Sequence, residues 1–257
     1  MANFIDARRL SFEPFPHPLH PDDVGDSGEL ELATAKADPS ERYIIKRGHT
    51  YPEVASNEFL YHKVAVALGL YTQDVKLIEG SKDYRRSAAI RYVPNARLFS
   101  LKESSPENFR AYFEFEALFV ILNERDSHEY YLDESGRMFK LDNAASFTVE
   151  QITLLYFDGD PMGRFFLPDI RVPLNAVDYY MYGGMYERFM EAYGQVAADA
   201  YLSVMQRFSE FDESVLDDAY AALAKQYPKP LIDYYTEFIR IRKKACQTFI
   251  DEVAADR

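Results

Sequence analysis

The chain is short of positive charge and of cysteine, and it has no long apolar run. Its 257 residues carry 29 Lys and Arg against 42 Asp and Glu, a formal net charge of −13. A surface this acidic repels phosphates instead of releasing their counterions, which argues against direct nucleic-acid binding. The single cysteine, Cys246, excludes an intrachain disulfide and suits a reducing cytosol. No apolar stretch approaches the roughly 20 residues that a membrane span needs. The opening MANFIDARRLSFEPFPHP has no apolar signal core and mixes acids with bases. His17 and His20 sit three apart, but nothing beside them completes a metal site. Internal repeats and low-complexity tracts are missing too. The expectation is an acidic, cytoplasmic protein without membrane contact.

Hydrophobic residues, by contrast, are plentiful at 47%, with 15% aromatic, so the chain can build a sizeable core and is not disordered. Prolines 14, 16, 18 and 21 prevent a helix near the start and disfavour a central strand, which suggests an extended arm packed by Phe4, Phe12 and Phe15. Strands are expected at 29–35 and 41–46, with Asp38-Pro39-Ser40 as the turn between them. Thr50-Tyr51-Pro52-Glu53 has capping-box spacing, so a helix should run to Leu68 and stop at Gly69. Its apolar stripe of Val54, Tyr61, Ala65 and Leu68 includes one acid, Glu58. A buried carboxylate needs a cation partner, and Lys46 on the preceding strand is the nearest in sequence. A slightly rotated helix would instead leave Glu58 in water.

Further strands are expected at 74–79 and 87–93, and a helix over 109–122. Asp133-Glu134-Ser135-Gly136 should then turn a hairpin between Tyr130-Tyr131-Leu132 and 137–141. Beyond Phe147 the pattern is mostly helical: 186–208, 213–227 and 231–253 after a loop region punctuated by Pro161, Pro168 and Pro173. The segment 178–189, with four tyrosines around Gly183-Gly184, reads as a packed connection or a peptide-binding face. Cys246 lies on the apolar stripe of the last helix and reads as a core residue. Arg240, Arg242, Lys243 and Lys244 on that helix would offset nearby acids, or serve a partner surface. The fold class is therefore α+β, dividing into a strand-rich part over 1–94 and a helical part over 95–257, with a cleft between them.

The hairpin brings chemistry to that cleft. Asp126 and Asp142 lie at its two ends and should face one region of space. Two such carboxylates suit phosphoryl transfer, one orienting a hydroxyl and the other holding magnesium.

These residues resemble the HipA-like serine/threonine kinases, and more distantly the phosphatidylinositol kinases. Asp126-Ser127-His128 is similar to the D-x-H part of the family's catalytic D-x-H-x-x-N segment, and Asp142 to its metal-binding aspartate. Tyr43-Ile44-Ile45-Lys46 resembles the strand bearing the nucleotide lysine, and Asn57-Glu58 through Gly69-Leu70 the helix that follows it. The resemblance spans 43–147. It implies a two-lobed protein-kinase-like fold that uses ATP and Mg2+ to phosphorylate a protein hydroxyl. In that reading Lys46 holds phosphates, Glu58 orients Lys46, Asp126 is the base and Asp142 holds the metal. Ile90-Arg91-Tyr92-Val93 would be the inter-lobe connector that binds adenine. It also implies a toxin–antitoxin setting in which a partner protein, not this chain, touches DNA. Two departures stand out. Tyr131 occupies the place of the second metal ligand, which leaves Glu129 or Asn143 as substitutes. The candidate phosphate loop, Gly25-Asp26-Ser27-Gly28, lies before the first strand and carries Asp26, with Glu29 directly after it. A kinase-fold protein without turnover is the alternative reading.

Overall fold

The computed structural model describes residues 3–15, 30–47, 53–124, 129–147 and 185–255, and the backbone of 152–156 and 164–168. Asp126, Ser127, His128, the Gly25–Gly28 loop, the Thr50-Tyr51-Pro52 cap and the tyrosines of 178–184 lie outside the described residues.

A six-stranded sheet forms the first layer: β1 (Phe4–Asp6), β2 (Leu10–Pro14), β3 (Glu31–Ala35), β4 (Asp38–Arg47), β5 (Val75–Glu79) and β6 (Ser87–Arg91). Their order across the sheet is β1-β5-β6-β4-β3-β2. The arm expected at the start is thus two strands, one at each edge. β1 pairs in parallel with β5, and β2 pairs antiparallel with β3. Pro14 ends an edge strand, where its missing N–H is tolerated. The hairpin turn between β3 and β4 is Lys36-Ala37, not Asp38-Pro39-Ser40. Pro39 falls inside β4 at a register shift, where the ladder is already interrupted.

Side chains alternate across this sheet with period two. Tyr43, Ile45, Ala89 and Ile78 face a small outer core with Ala7 and Leu10. Ile44, Lys46, Ala88, Ile90 and Leu77 therefore face the other way, toward α1 (Glu53–Ala67). That helix is buried nearly all round, from Val54 through His62, because the sheet covers one side and the helical lobe the other. It ends in a Schellman motif: Gly69 takes φ +74°, its N–H bonds Val66 O and the Leu70 N–H bonds Ala65 O.

The second lobe contains α2 (Pro106–Ile121), a helical stretch at 185–193, α3 (Gln195–Glu210), α4 (Asp217–Leu223) and α5 (Lys229–Ala255). A three-stranded sheet, β7 (Arg97–Leu98), β8 (Tyr130–Leu132) and β9 (Met138–Lys140), sits beside α2, with the expected hairpin at its centre. Asn108 of α2 fixes that hairpin, donating to Gly136 O and accepting from Met138 N. The helix expected at 186–208 is two pieces, broken at Gly194 with φ +77°. Where only helix and loop were expected, β10 (Ile152–Tyr156) and β11 (Arg164–Pro168) pair antiparallel. Cys246 is buried, as its place on the apolar stripe implies. Among the cations of α5, Arg240 pairs with Glu237 and Lys243 with Glu213, whereas Arg242 is buried and donates to the Val120 and Ile121 carbonyls that end α2. No described helix is long and apolar enough to cross a membrane.

Polar side chains join the lobes. Gln226, just after α4, accepts from the Arg86 N–H at 2.9 Å and donates to Ile78 O at 2.7 Å. Tyr235 of α5 donates to Asn57 Oδ1 of α1 at 2.6 Å. His62, also on α1, is held near pKa 4 by burial and by Lys63, against Asp74 at 3.6 Å. Its folded value lies below the ordinary 6.5, so its contribution to stability is full above pH 6.5 and falls as the pH drops toward 4. Between pH 7.5 and 5 the wild-type chain should lose roughly 2 kcal/mol that His62→Phe retains, read from urea unfolding at both pH values. Equal losses in the two proteins would contradict the buried neutral imidazole.

Candidate active site

Three elements deliver three charged groups to one point between the lobes. Lys46 leaves β4 on the α1-facing side, Glu58 comes from the second turn of α1, and Asp142 follows β9. Lys46 Nζ donates to Glu58 Oε1 at 2.6 Å and to Asp142 Oδ1 at 2.6 Å. The Glu58 side chain is 1% exposed and that of Lys46 9%, while Asp142 keeps 34% and is the member open to solvent. Burial works against the Lys46 ammonium, but Glu58 and Asp142 outweigh it and hold its pKa above the usual lysine value. Burial alone would raise the Asp142 carboxyl; the Lys46 charge and hydrogen bond hold it below the ordinary carboxylate range.

The Asp142 turn is fixed from several sides. Asp142 takes φ +53°, a left-handed conformation that Asp tolerates better than most residues. Glu58 Oε1 also accepts from the Asn143 N–H at 3.0 Å, and Asn57 Nδ2 donates to Ala144 O at 2.7 Å. Phe147 N donates to Leu122 O at 2.7 Å, and the Tyr234 hydroxyl donates to Phe147 O. Underneath lies a second, fully buried ion pair, in which Lys140 Nζ is 2.5 Å from Glu124 Oε1. Glu124 is placed by the end of α2, a Schellman motif with Asn123 left-handed at φ +48° and the Glu124 N–H on Phe119 O. Burial pushes the Glu124 carboxyl up to about 7, against the opposing pull of Lys140.

Of the residues expected at the site, Lys46, Glu58, Asp142 and Asn143 converge. The Asn143 side-chain oxygen accepts from Lys140 at 3.2 Å and its amide nitrogens face Glu58, so it is turned inward. Tyr131 stacks on Phe139 with ring centroids 6.2 Å apart. In the connector, Ile90 lies between β4 and β5, so its backbone groups belong to the sheet ladders. The Arg91 N–H goes to Asp74 O, Arg91 O accepts from Gln73, and the Tyr92 N–H goes to Arg42 O. Tyr92 O and the Val93 backbone are the connector groups that lie beyond these bonds. Lys140, Glu124 and Asn57 were not expected as site residues. Lys140 shares an inward face of its strand with Met138, the same signal of a charge on an apolar face that marked Glu58. A surface cavity of about 440 Å3 lies elsewhere, between α3 and α5 around Leu202, Gln206, Ile250 and Val253.

A strand-rich lobe and a helical lobe, with a lysine–glutamate pair and an aspartate between them, define a two-lobed kinase-like fold. Among solved structures, that fold is similar to the proinflammatory kinase CtkA of Helicobacter pylori, with a TM-score of 0.53 and 11% identity over 96% of this chain and 99% of that one. No protein-family model matches the sequence, and no curated protein does.

Lys46→Met would leave two carboxylates at close range without their cation. Removing one partner of a buried pair costs about 3–5 kcal/mol. Urea unfolding should show a loss of that order, and a loss below about 1 kcal/mol would mean that the three groups do not meet in solution.

Proposed function

We propose that the chain is a HipA-like kinase that transfers the γ-phosphate of ATP, with Mg2+, to a protein Ser or Thr hydroxyl. The observation that carries this reading is the single ammonium of Lys46 held at 2.6 Å by both Glu58 and Asp142. A buried, permanently charged lysine fits a phosphate, and a partly exposed carboxylate beside it fits a hard divalent cation. Lys46 would hold the phosphates, Glu58 would keep its ammonium extended, and Asp142 would bind the magnesium that screens their charge. Asp126 would orient the acceptor hydroxyl, and the connector at 90–93 would meet the adenine, chiefly through Tyr92 O and Val93. Positioning of this kind carries most of the catalysis in phosphoryl transfer.

A second reading, a kinase-fold binding protein without turnover, is favoured by Tyr131 and by the inward-turned Asn143. Neither supplies the further oxygen ligand that a second magnesium requires.

Transfer of labelled phosphate from γ-labelled ATP to the chain itself or to a generic protein acceptor separates the two. The kinase reading expects transfer by the wild type and a loss of about 100-fold or more in Asp126→Ala at unchanged melting temperature. Equal transfer in the variant contradicts the role of Asp126. A magnesium-dependent thermal shift with ATP but no transfer selects the binding protein, and no shift at millimolar nucleotide overturns both.

A further inference from the structure

Lys140 is, with Arg242, among the most enclosed cations of the described residues, and neither Lys140 nor Glu124 has exposed side-chain surface. Such a pair is seldom kept for stability, because well-packed apolar side chains of the same volume commonly do as well or better. What distinguishes this one is its other partners. Besides Glu124, Lys140 Nζ meets Asp142 O at 2.9 Å, Leu141 O at 3.2 Å and Asn143 Oδ1 at 3.2 Å. Four oxygens thus converge on one ammonium with three hydrogens, and three of the four belong to the turn that presents Asp142.

The two ion pairs are joined into one circuit. Lys46 fixes the Asp142 carboxylate while Lys140 fixes the Asp142 carbonyl. Asn143 bridges them, with its oxygen on Lys140 and its backbone N–H on Glu58. Asp142 is held left-handed at φ +53°, a conformation that costs energy for a residue with a side chain unless its surroundings determine it. Lys140 does this from below, and Glu124 keeps Lys140 in place.

We propose that Lys140 and Glu124 are positioning residues: an internal cation and its counter-ion that lock the 141–147 turn so that Asp142 faces the cleft. For its catalytic consequence the proposal rests on the reading of the site as a nucleotide site. For its structural consequence it does not, and the experiment separates the two.

The test compares the wild type with Lys140→Met and with the double variant Lys140→Met/Glu124→Leu. The single variant leaves a buried carboxylate and should melt lower. The double variant removes both charges and should recover most of that loss. Hydrogen–deuterium exchange should nevertheless show the amides of 141–147 exchanging at least tenfold faster in the double variant, while peptides from β4 and α1 keep their protection. Its Kd for Mg-ATP should rise by tenfold or more. A double variant with wild-type protection over 141–147 overturns the proposal, and so does one whose turn loosens while Mg-ATP affinity stays at the wild-type value. If the wild type itself binds no Mg-ATP, the nucleotide reading fails and the exchange data alone decide the positioning role. Should the double variant not fold, Glu124→Gln takes its place: faster exchange over 141–147 is expected, and an unchanged pattern overturns the proposal.

Discussion

A lysine ammonium buried between two lobes is the constraint from which the rest of the architecture follows. Lys46 lies on the sheet face that α1 covers, where water cannot solvate it, and leaving it unpaired would cost several kcal/mol, roughly. Its two carboxylates come from opposite directions, Glu58 from the helix above the sheet and Asp142 from the hairpin of the other lobe. Meeting them requires α1 to be wedged between the lobes and the Asp142 turn to be pressed against it. The polar contacts around the wedge meet that requirement. Asn57 reaches the Ala144 carbonyl, Tyr235 reaches Asn57, and Gln226 pins the turn before β6 to the helical lobe. The lobes therefore share one core, which runs from Leu77 and Ile90 on the sheet through Phe59 and Val64 of α1 to Phe238 and Ile239 of α5.

The same constraint explains why α1 is not amphipathic in the ordinary way. A surface helix shows water one polar face. Here Ser56, Asn57, Glu58 and His62 are buried, spread over three sides of the helix, with Glu58 and His62 sharing one. Ser56 bonds Tyr235, and Asn57 bonds the Asp142 turn, both in the helical lobe, while Glu58 bonds Lys46 of the sheet and Asn143 of the helical lobe. A helix with so many directed bonds cannot rotate without breaking several together. In the proposed kinase reading, the Lys46–Glu58 ion pair would be the lysine–glutamate pair that protein kinases assemble before they act.

Much of this was legible in the residues. Gly69 stops α1 because only a residue without Cβ takes its left-handed angle cheaply, and Glu58 was recognisable as a charge on an apolar stripe. The hairpin at 130–140 carried its own turn signal. Other parts had no local signal. β1 joins β5, more than 70 residues further on, in a parallel pairing that short-range patterns do not encode. The nearby prolines argue only against a helix and a central strand, and both strands of the arm lie at sheet edges. Gly194 was overlooked because the apolar pattern continues on both sides of it. The Lys140–Glu124 pair was missed for a different reason. An acid just after a helix end is usually solvated, and only the Schellman turn at Asn123 sends Glu124 inward. Asp126 lies outside the described residues, so its place rests on the motif.

Lys46 and Asp142 together are proposed to form a magnesium-nucleotide site between the lobes. A crystal structure of the protein with magnesium and a non-hydrolysable ATP analogue tests it most directly. A phosphate oxygen should lie within hydrogen-bonding distance of Lys46 Nζ, the cation on the Asp142 carboxylate, and the base beside Tyr92 and Val93. An analogue bound elsewhere, or the Lys46–Asp142 pair unchanged at saturating ligand, would contradict it.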